Sequence, residues 1–375
     1  MLTGTFSRRK LAAAAAITIA AFGISVQQAQ ADPFFKEPLK FDFKDKEKGP
    51  NGEPATPAAA VTLTDDEVAK VKSGNYTAAL LWAGAGEWYD ALGAGAKARF
   101  AELNIKVVAT ADAQFDAAKQ ANDVETAMTL KPNIILSLIV DPVSGAAAFK
   151  PAIDAGTKLV LADNGAQGYG AGKEYVGIVT GDHFGMGAAC AELMNDALGG
   201  KGKIGYIFHD AEFFVTNNRD HAFRAAIEQR YPGIEIVDAK GFTAENATFD
   251  AASAMISQHP EINGIYVAWD VAAEGVVEAI RAAGRNDIKV VTLDLGNTNG
   301  LAMAKGEIVY GTVADKPYEM GVTMANLAAY AMLGKEAPPF STVGFLKVTK
   351  ANMVDAWKES LNKEVPDTIK KALGQ

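Results

Sequence analysis

Polar and aromatic side chains follow several predicted strands of this 375-residue chain, at the points where the strands end. Carboxylates accept hydrogen bonds from hydroxyl groups and arginine donates through a planar fork, each such bond contributing about 1.5–3 kcal/mol. Flat aromatic rings cover the apolar C–H faces of a sugar or polyol. This combination predicts a site for a neutral polyhydroxylated ligand, with these candidate residues: Glu87, Trp88, Tyr89, Asp163, Asn164, Asn217, Arg219, Trp269, Asp270, Asp294 and Asp315.

Each candidate taken alone also has a purely structural interpretation. An aspartate after a strand often caps the next helix, and aromatic residues at helical spacing often pack in the core. It is their occurrence together at successive strand ends that favours a binding site. Capping would apply to Asp163 and Asp270, a turn before Gly296 to Asp294, core packing to Trp88 and Tyr89, and a surface ion pair with Asp220 or Glu228 to Arg219.

Signatures of enzymes and metal sites are weak. The four histidines, at 183, 209, 221 and 259, form neither an H-E-x-x-H motif nor another tight metal-binding spacing. No G-x-S-x-G elbow occurs, and the glycines at 84–86 and 168–173 match neither a dinucleotide nor a phosphate loop. We therefore predict no enzymatic activity, no cofactor and no metal. An extracytoplasmic glycosidase with Asp163 and Asp294 as its carboxylate pair is the enzyme alternative.

The first 31 residues have the layout of a secretory signal peptide. A cationic run, Arg8-Arg9-Lys10, precedes an uncharged stretch over 11–26 that is shorter than the roughly 20 residues of a membrane span. Ala29-Gln30-Ala31 then predicts cleavage after Ala31 and a periplasmic mature protein. The arginine pair leaves both the general secretory and the twin-arginine export route open. Export argues against kinases and dehydrogenases, whose ATP and NAD are cytoplasmic.

Composition is that of an ordinary globular protein, with 49% apolar residues and a net charge of −9. The acidic balance gives no indication of binding to nucleic acid or anionic lipid. Cys190 is the only cysteine, which excludes an intramolecular disulfide, and it shares helical spacing with Met186, Leu193 and Met194. We expect Cys190 to be a buried core residue, and we expect the protein to be a monomer.

From Tyr76 onward, short apolar runs alternate with amphipathic stretches. This alternation predicts an α/β fold with parallel sheets flanked by helices, and about ten strands favour two lobes over one eight-fold barrel. The predicted strands are Tyr76–Trp82, Lys106–Ala109, Ile134–Leu138, Lys158–Ala162, Tyr175–Val179, Lys203–Phe208, Ile234–Asp238, Gly264–Ala268, Lys289–Leu293 and Tyr310–Val313, and the predicted helices include Asp90–Leu103, Ala113–Leu130, His183–Leu198, Asn217–Arg230 and Ala272–Ala283.

From about Asn75 to Lys350 the chain resembles the periplasmic sugar-binding proteins of ABC transporters, in the ribose-binding branch of the type I fold. The residues that carry the resemblance are Trp88-Tyr89, Asp163-Asn164 where the family usually has Asp-Arg, Asn217-x-Arg219-x-x-x-Phe223, Trp269-Asp270 where Asn-Asp is common, Asp294-x-Gly296, and Asp315 where Gln is frequent.

The resemblance implies two Rossmann-like lobes that are joined by a three-strand hinge and close on one ligand. The implied crossings lie near 179–182, 314–317 and 345–348. With the signal peptide at 1–31 and an extended leader at 32–74, the predicted lobes comprise 75–180 with 316–346, and 181–315 with 347–375.

The implied function is that of an importer's substrate-binding component, which delivers its ligand to the permease subunits in the inner membrane. The alternative is a sensory module for a chemoreceptor or histidine kinase. Asn164, Trp269 and Asp315 depart from the family pattern and argue against ribose itself. A pentitol or tetritol and an aldopentose or hexose stay open as ligands.

Overall fold

A computed structural model describes residues 42–43, 47–211 and 213–375 of the chain. The predicted signal peptide, its cleavage site and most of the segment 32–46 lie outside the described residues. The strands are β1 (Thr56–Pro57), β2 (Thr77–Trp82), β3 (Lys106–Asp112), β4 (Ile134–Leu138), β5 (Lys158–Ala162), β6 (Ile178–Gly181), β7 (Gly202–His209), β8 (Ile234–Phe242), β9 (Gly264–Val267), β10 (Lys289–Leu293), β11 (Val309–Ala314), β12 (Phe340–Val343) and β13 (Leu346–Thr349).

Twelve α-helices connect or follow these strands in the described part of the chain, with short 3-10 helices at Ala58–Ala60 and Glu245–Ala247. They are α1 (Asp65–Ser73), α2 (Glu87–Glu102), α3 (Ala117–Met128), α4 (Pro142–Asp154), α5 (His183–Leu198), α6 (Phe214–Arg230), α7 (Thr248–Gln258), α8 (Asp270–Ala282), α9 (Asn297–Lys305), α10 (Pro317–Leu333), α11 (Met353–Leu361) and α12 (Asp367–Ala372).

The strands form two sheets with the same internal order. The first sheet runs β1-β12-β6-β5-β4-β2-β3 and the second β13-β11-β10-β9-β7-β8, and every pairing is parallel except that of β11 with β13. Within each lobe five strands follow the doubly wound order 2-1-3-4-5. The prediction of two Rossmann-like lobes is therefore confirmed, and the eight-fold barrel is wrong because both sheets are open.

Each lobe donates one helix to the other. Strand β6 ends at Gly181 in the first sheet, yet the helix that follows, α5, packs on β10 and β11 of the second sheet. Likewise β11 leads into α10, which packs on β5 and β6. A third connection runs from β12 to β13 through Gly344 and Phe345. The three connections lie at or beside the predicted crossings, while the exact lobe boundaries stay a prediction.

Burial explains the apolar strand sequences. All five residues of β4 and all four of β9 are buried, since helices cover both faces of a parallel sheet. Cys190 is fully buried in α5, as are Met186 and Met194, which confirms its prediction as a core residue. Among the described residues, no helix is long and apolar enough to cross a membrane.

The predicted elements were most accurate where the sequence has sharp boundaries. β4, β5, β10 and α5 match their predicted limits. Strand β6 begins three residues later than predicted, and β3 and β8 each extend further than predicted, by three and four residues. The segment 47–74, predicted to be an extended leader, is partly folded. It contains β1 on the edge of the first sheet. It also contains α1, which begins at a capping box of Thr64 and Glu67, as the acidic pattern Thr64-Asp65-Asp66-Glu67 predicts.

Helices α2 and α10 pack closely against each other, with glycines at the contact. A Cβ atom on Gly95 would lie 2.0 Å from the carbonyl oxygen of Tyr318, and one on Gly321 would lie 2.0 Å from that of Leu92. Backbone atoms cannot rotate away as a side chain can. A methyl group at either position must therefore push the helices apart.

We predict that Gly95→Ala destabilises the protein by about 1–3 kcal/mol, because overpacking this contact shifts backbone. Gly93→Ala in the same helix is the matched control. Its Cβ would meet only Trp82 Nε1 at 3.4 Å, so the better helix propensity of alanine should leave stability unchanged or raise it by up to about 1 kcal/mol. Chemical denaturation measures both values, and equal effects of the two substitutions would contradict the close-packing explanation.

Candidate ligand-binding site

A cavity of about 520 Å³ lies between the carboxyl ends of the two sheets. Side chains that follow strands of both lobes line it, as expected for ligand sites in open parallel sheets. The cavity brings together nine of the eleven predicted site residues: Glu87, Trp88, Tyr89, Asp163, Arg219, Trp269, Asp270, Asp294 and Asp315.

The centre of the site is an ion pair between Arg219 on α6 and Asp294 after β10. Arg219 Nη1 lies 3.3 Å from Asp294 Oδ2, and the side chains are only 6% and 11% exposed. Burial raises the pKa of Asp294 and the guanidinium opposes that rise. Arg219 Nε and Asp294 Oδ1 are buried without a hydrogen-bond partner among the described residues. The pair therefore retains one donor and one acceptor.

Arg219 does not form the surface pairs that its helix neighbours offer. Asp220 accepts from the Tyr266 hydroxyl at 2.6 Å, and Glu228 accepts from Arg224 at 2.7 Å. The surface ion-pair interpretation of Arg219 is therefore wrong. Its guanidinium faces the cavity instead.

Asp163 follows β5 and ends a short chain of hydrogen bonds. The Thr180 hydroxyl donates to Asp163 Oδ1 at 2.7 Å and lies 2.6 Å from His183 Nε2. Burial raises the pKa of Asp163 to about 7, while the Thr180 bond and Arg219 oppose the rise. No helix begins at Asp163, so it is not a helix cap.

Asp163 and Asp294 occupy equivalent positions in the two lobes. Each directly follows the fourth strand of its five-strand unit and has a left-handed backbone, with φ of 58° and 67°. Aspartate tolerates this conformation better than most residues, at some cost in strain. Each backbone N–H donates to the next strand, to Val179 O at 2.9 Å and Val313 O at 2.8 Å.

Asp315 is the third buried carboxylate of the cavity. Its Oδ1 accepts a hydrogen bond from Trp88 Nε1 at 2.9 Å. Burial raises the pKa of Asp315 well above its usual range, and the charges of Asp294 and Asp163 add to the rise. Trp88 and Tyr89 also pack against the core of the first lobe, so the structural and binding interpretations both apply to them.

An aromatic wall covers the second-lobe side of the cavity. The ring of Trp269 meets that of His209 edge-on at 5.0 Å, and its Nε1 donates to Glu245 Oε1 at 2.6 Å. Burial lowers the pKa of His209 to about 4, so this ring is neutral at physiological pH. Asp270 is the first residue of α8, whose cap is Trp269, and burial raises the Asp270 pKa to about 8.

Glu87 lines the cavity, but its carboxylate also connects the lobes. One oxygen accepts from Asn297 Nδ2 at 2.5 Å and the other from Lys363 Nζ at 3.3 Å. Both partners belong to the second lobe. This arrangement indicates a closed cleft, and a ligand contact by Glu87 stays a prediction.

The other two predicted residues do not line the cavity. Asn164 is buried and its Nδ2 donates to Ile139 O at 3.3 Å. Asn217 is half-buried on α6, one turn away from the helix start at Phe214, and is absent from the cavity wall. Asn164 follows β5 as predicted, whereas Asn217 lies within α6 and not at its predicted start. Position along the chain does not fix the direction of either side chain.

Misplaced strand ends hid several lining residues. Gln114 and Phe115 follow β3, and Glu245 and Asn246 follow β8, the two strands predicted too short. With correct ends, the same strand-end rule would have found them. Among the described residues no group of three or more His, Cys, Asp or Glu side chains is arranged to hold a metal ion.

Comparisons with known proteins agree with this architecture. Residues 49–336 match the family described as periplasmic binding protein domain. The ribose import binding protein of Bacillus subtilis is 27% identical over 60% of this chain and 71% of its own length. The D-allose-binding periplasmic protein of Escherichia coli is 28% identical over 48% of this chain and 60% of its own.

Solved structures share the fold. An ABC transporter solute-binding protein from Agrobacterium vitis bound with alpha-D-tagatopyranose has a TM-score of 0.69 at 22% identity, covering 77% of this chain and 100% of that one. A solute-binding protein from Mycobacterium smegmatis with bound glycerol has a TM-score of 0.65 at 28% identity, covering 74% and 96%.

We predict that Asp163→Asn changes how stability depends on pH. The folded-state pKa of about 7 lies above the usual 3.8, so Asp163 stabilises the unliganded fold at low pH and this contribution is lost as pH rises towards 7. The asparagine variant should gain at least about 1.4 kcal/mol relative to wild type between pH 5 and pH 8. Urea denaturation at both values measures this. Asp250→Asn, at an exposed position on α7, is the control, and a pH-independent difference for Asp163→Asn would contradict the prediction.

Proposed function

The chain belongs to the periplasmic binding protein family, and we propose that it is the substrate-binding component of an ABC importer for a neutral sugar or polyol. In this role the two lobes close on the ligand, and the closed form delivers it to the permease subunits of the inner membrane. The main support for this proposal is the buried pair of Arg219 and Asp294. Arg219 Nε and Asp294 Oδ1 lie beside the cavity without a hydrogen-bond partner among the described residues.

A hydroxyl group suits this arrangement because it both donates and accepts. Two hydroxyls on adjacent carbons can accept from the Arg219 fork while donating to Asp294 Oδ1. Asp163 and Asp315 offer further acceptors, and buried polar groups without partners are costly. A ligand with several hydroxyls satisfies all of these groups together.

Charge supports a neutral ligand. Six carboxylates line the cavity, whereas Arg219 is the one lysine or arginine among its described lining residues. Burial already disfavours the charged forms of Asp163, Asp270 and Asp315, and a phosphate or carboxylate on the ligand would bring a further negative charge into the same poorly solvated space. The carboxylate residues are Glu87, Asp163, Glu245, Asp270, Asp294 and Asp315.

Binding without catalysis is the simplest use of this site. The relatives named above are binding proteins, which argues against the glycosidase alternative. A chemoreceptor or sensor kinase would recognise the same closed form, but no feature of the described residues favours that role over transport. A periplasmic location follows from the proposed role and from the predicted signal peptide.

We predict that neutral sugars or polyols stabilise the protein against heat, whereas sugar phosphates and uronic acids do not. A panel of D-ribose, D-allose, D-arabinose, D-tagatose, pentitols, erythritol and glycerol, with ribose 5-phosphate and glucuronate, tests this by thermal shift. A ligand at 100 times its Kd adds roughly 2.7 kcal/mol to native stability. Trp88 and Trp269 should report binding as a change in fluorescence. An acid or phosphate as the tightest ligand in parallel titrations would contradict the charge argument.

We predict that Arg219→Ala weakens binding of the best panel ligand by about 2 kcal/mol or more, because the fork to the ligand hydroxyls is lost. The substitution also leaves Asp294 buried without its partner, which destabilises the fold. The double variant Arg219→Ala, Asp294→Asn also removes the unpaired carboxylate, so that the loss of affinity can be measured apart from the loss of stability. Arg281→Ala, at an exposed pair outside the cavity, is the control. Unchanged affinity by calorimetry in a folded double variant would remove Arg219 from the site.

A further inference from the structure

Residues 47–57 form a folded segment, here called the strap, that is anchored on the first lobe. Thr56 and Pro57 pair with β12 at the edge of the first sheet. Glu53 accepts hydrogen bonds from the backbone and side chain of Asn51 and from the Tyr175 hydroxyl at 3.2 Å. The strap is therefore part of the first lobe rather than a loose tail.

The other end of the strap contacts the second lobe. Glu47 is only 3% exposed, and its Oε2 accepts from the backbone N–H of His183 at 2.7 Å. Its Oε1 accepts from Asn218 Nδ2 at 2.9 Å. His183 begins α5 and Asn218 lies on α6, two helices that pack together on the second lobe. Further upstream, the ring of Phe43 stacks on the Arg230 guanidinium at 3.6 Å, at the far end of α6.

The lobes also touch beside the strap. Phe214, the first residue of α6, meets Phe340 of the first sheet edge-on at 6.2 Å. The strap covers this contact, since a Cβ on Gly49 would lie 3.1 Å from the Phe340 ring. The N-terminal end of α6 is thus held between the first lobe and the strap.

Both partners of Glu47 adjoin ligand-site residues. Asn218 immediately precedes Arg219, and the His183 ring continues through Thr180 to Asp163. A carboxylate buried without a cation is costly for stability. Here burial raises the pKa of Glu47 to about 8, and the bonds from Asn218 and His183 oppose the rise. A hydrophobic residue at this position would cost less free energy to bury, but it could not accept hydrogen bonds from the His183 N–H and Asn218 Nδ2.

We propose that the strap holds the lobes in the closed arrangement and that Glu47 is a positioning residue for the ligand site, acting through His183 on α5 and Asn218 on α6. The proposal rests on the proposed function, in which closure of the lobes accompanies ligand capture. Loss of the Glu47 bonds would let α6 and its Arg219 move away from the first lobe. The closed fraction then falls, and apparent affinity falls by the same factor.

Interlobe distance tests the proposal without any ligand. Val143→Cys on α4 and Phe249→Cys on α7 place spin labels at positions that are 63% and 40% exposed, one on each lobe, while Cys190 is fully buried and stays unlabelled. Pulsed electron paramagnetic resonance on the full-length mature protein then gives the distance distribution. Glu47→Ala should shift it to longer distances.

A charge exchange distinguishes positioning from general stability. Asn218→Asp places a second carboxylate against Glu47, and at a pH above the Glu47 pKa of about 8 the two charges should repel each other and open the lobes. Adding Glu47→Gln should restore closure, because the glutamine oxygen accepts from the His183 N–H and its amide donates to the new aspartate. Tyr175→Phe removes two bonds between the strap and the first lobe but keeps the pairing of β1 with β12 and the Glu47 bonds, so this control should leave the distances unchanged.

Ligand affinity is the second measurement, with D-ribose, D-allose and erythritol as probes. For any probe that binds, Glu47→Ala and Asn218→Asp should each weaken affinity by about tenfold, and the Glu47→Gln, Asn218→Asp pair should regain most of it. If Glu47→Ala lowers the melting temperature yet leaves distances and affinity unchanged, the strap only stabilises the fold and the proposal is wrong. If none of the probes binds, the proposed ligand class is wrong. The interlobe distances between the spin labels still test whether the strap holds the lobes closed.

Discussion

All parallel strands of a sheet end at the same edge, and in this protein two such edges face each other across one cavity. The exchange of α5 and α10 between the lobes creates this arrangement, because each helix leaves the sheet that precedes it and packs on the other. Residues that follow strands far apart in the chain therefore meet in one small space. Asp163 and Asp294, at equivalent positions in the two lobes, adopt the same left-handed backbone and face the same cavity. The position of the site is therefore determined by the topology of the two sheets and not by any single residue.

Within that space the electrostatics are unbalanced. Burial raises the pKa of Asp163, Asp294 and Asp315, and among the described lining residues one guanidinium, that of Arg219, compensates them. Such a cavity is costly when empty, and hydroxyl donors relieve the cost without adding charge. Burial of these carboxyl groups lowers the stability of the protein, but it leaves groups at the site that can form hydrogen bonds with a polyhydroxylated ligand. Glu87 and Glu47 show a second use of carboxylates, since each accepts hydrogen bonds that join the lobes.

Strand-end positions predicted nine of the residues that line the cavity, and the omissions have identifiable causes. Asp294 was found because it directly follows β10, whose limits were predicted correctly, and Arg219 because it was expected near the start of a helix, although α6 begins three residues earlier than predicted. Glu245 was missed because the polar sequence of β8 concealed its last four residues, so the loop after Phe242 was not recognised as a strand end. Asn164 was included because it follows the same strand as Asp163, but successive residues project in different directions and its amide donates to the carbonyl oxygen of Ile139.

The amino-acid sequence by itself determined the α/β class, the two-lobe organisation and the residues that could bind hydroxyl groups. Those properties depend on local periodicity and on residue types, which are visible along the chain. Only the tertiary structure decided which partner each side chain has. Arg219 pairs with Asp294, 75 positions away, rather than with its neighbour Asp220. Likewise Glu47 bonds to residues 136 and 171 positions away. Contacts at such separations are set by how the sheets and helices pack, and no local pattern encodes them.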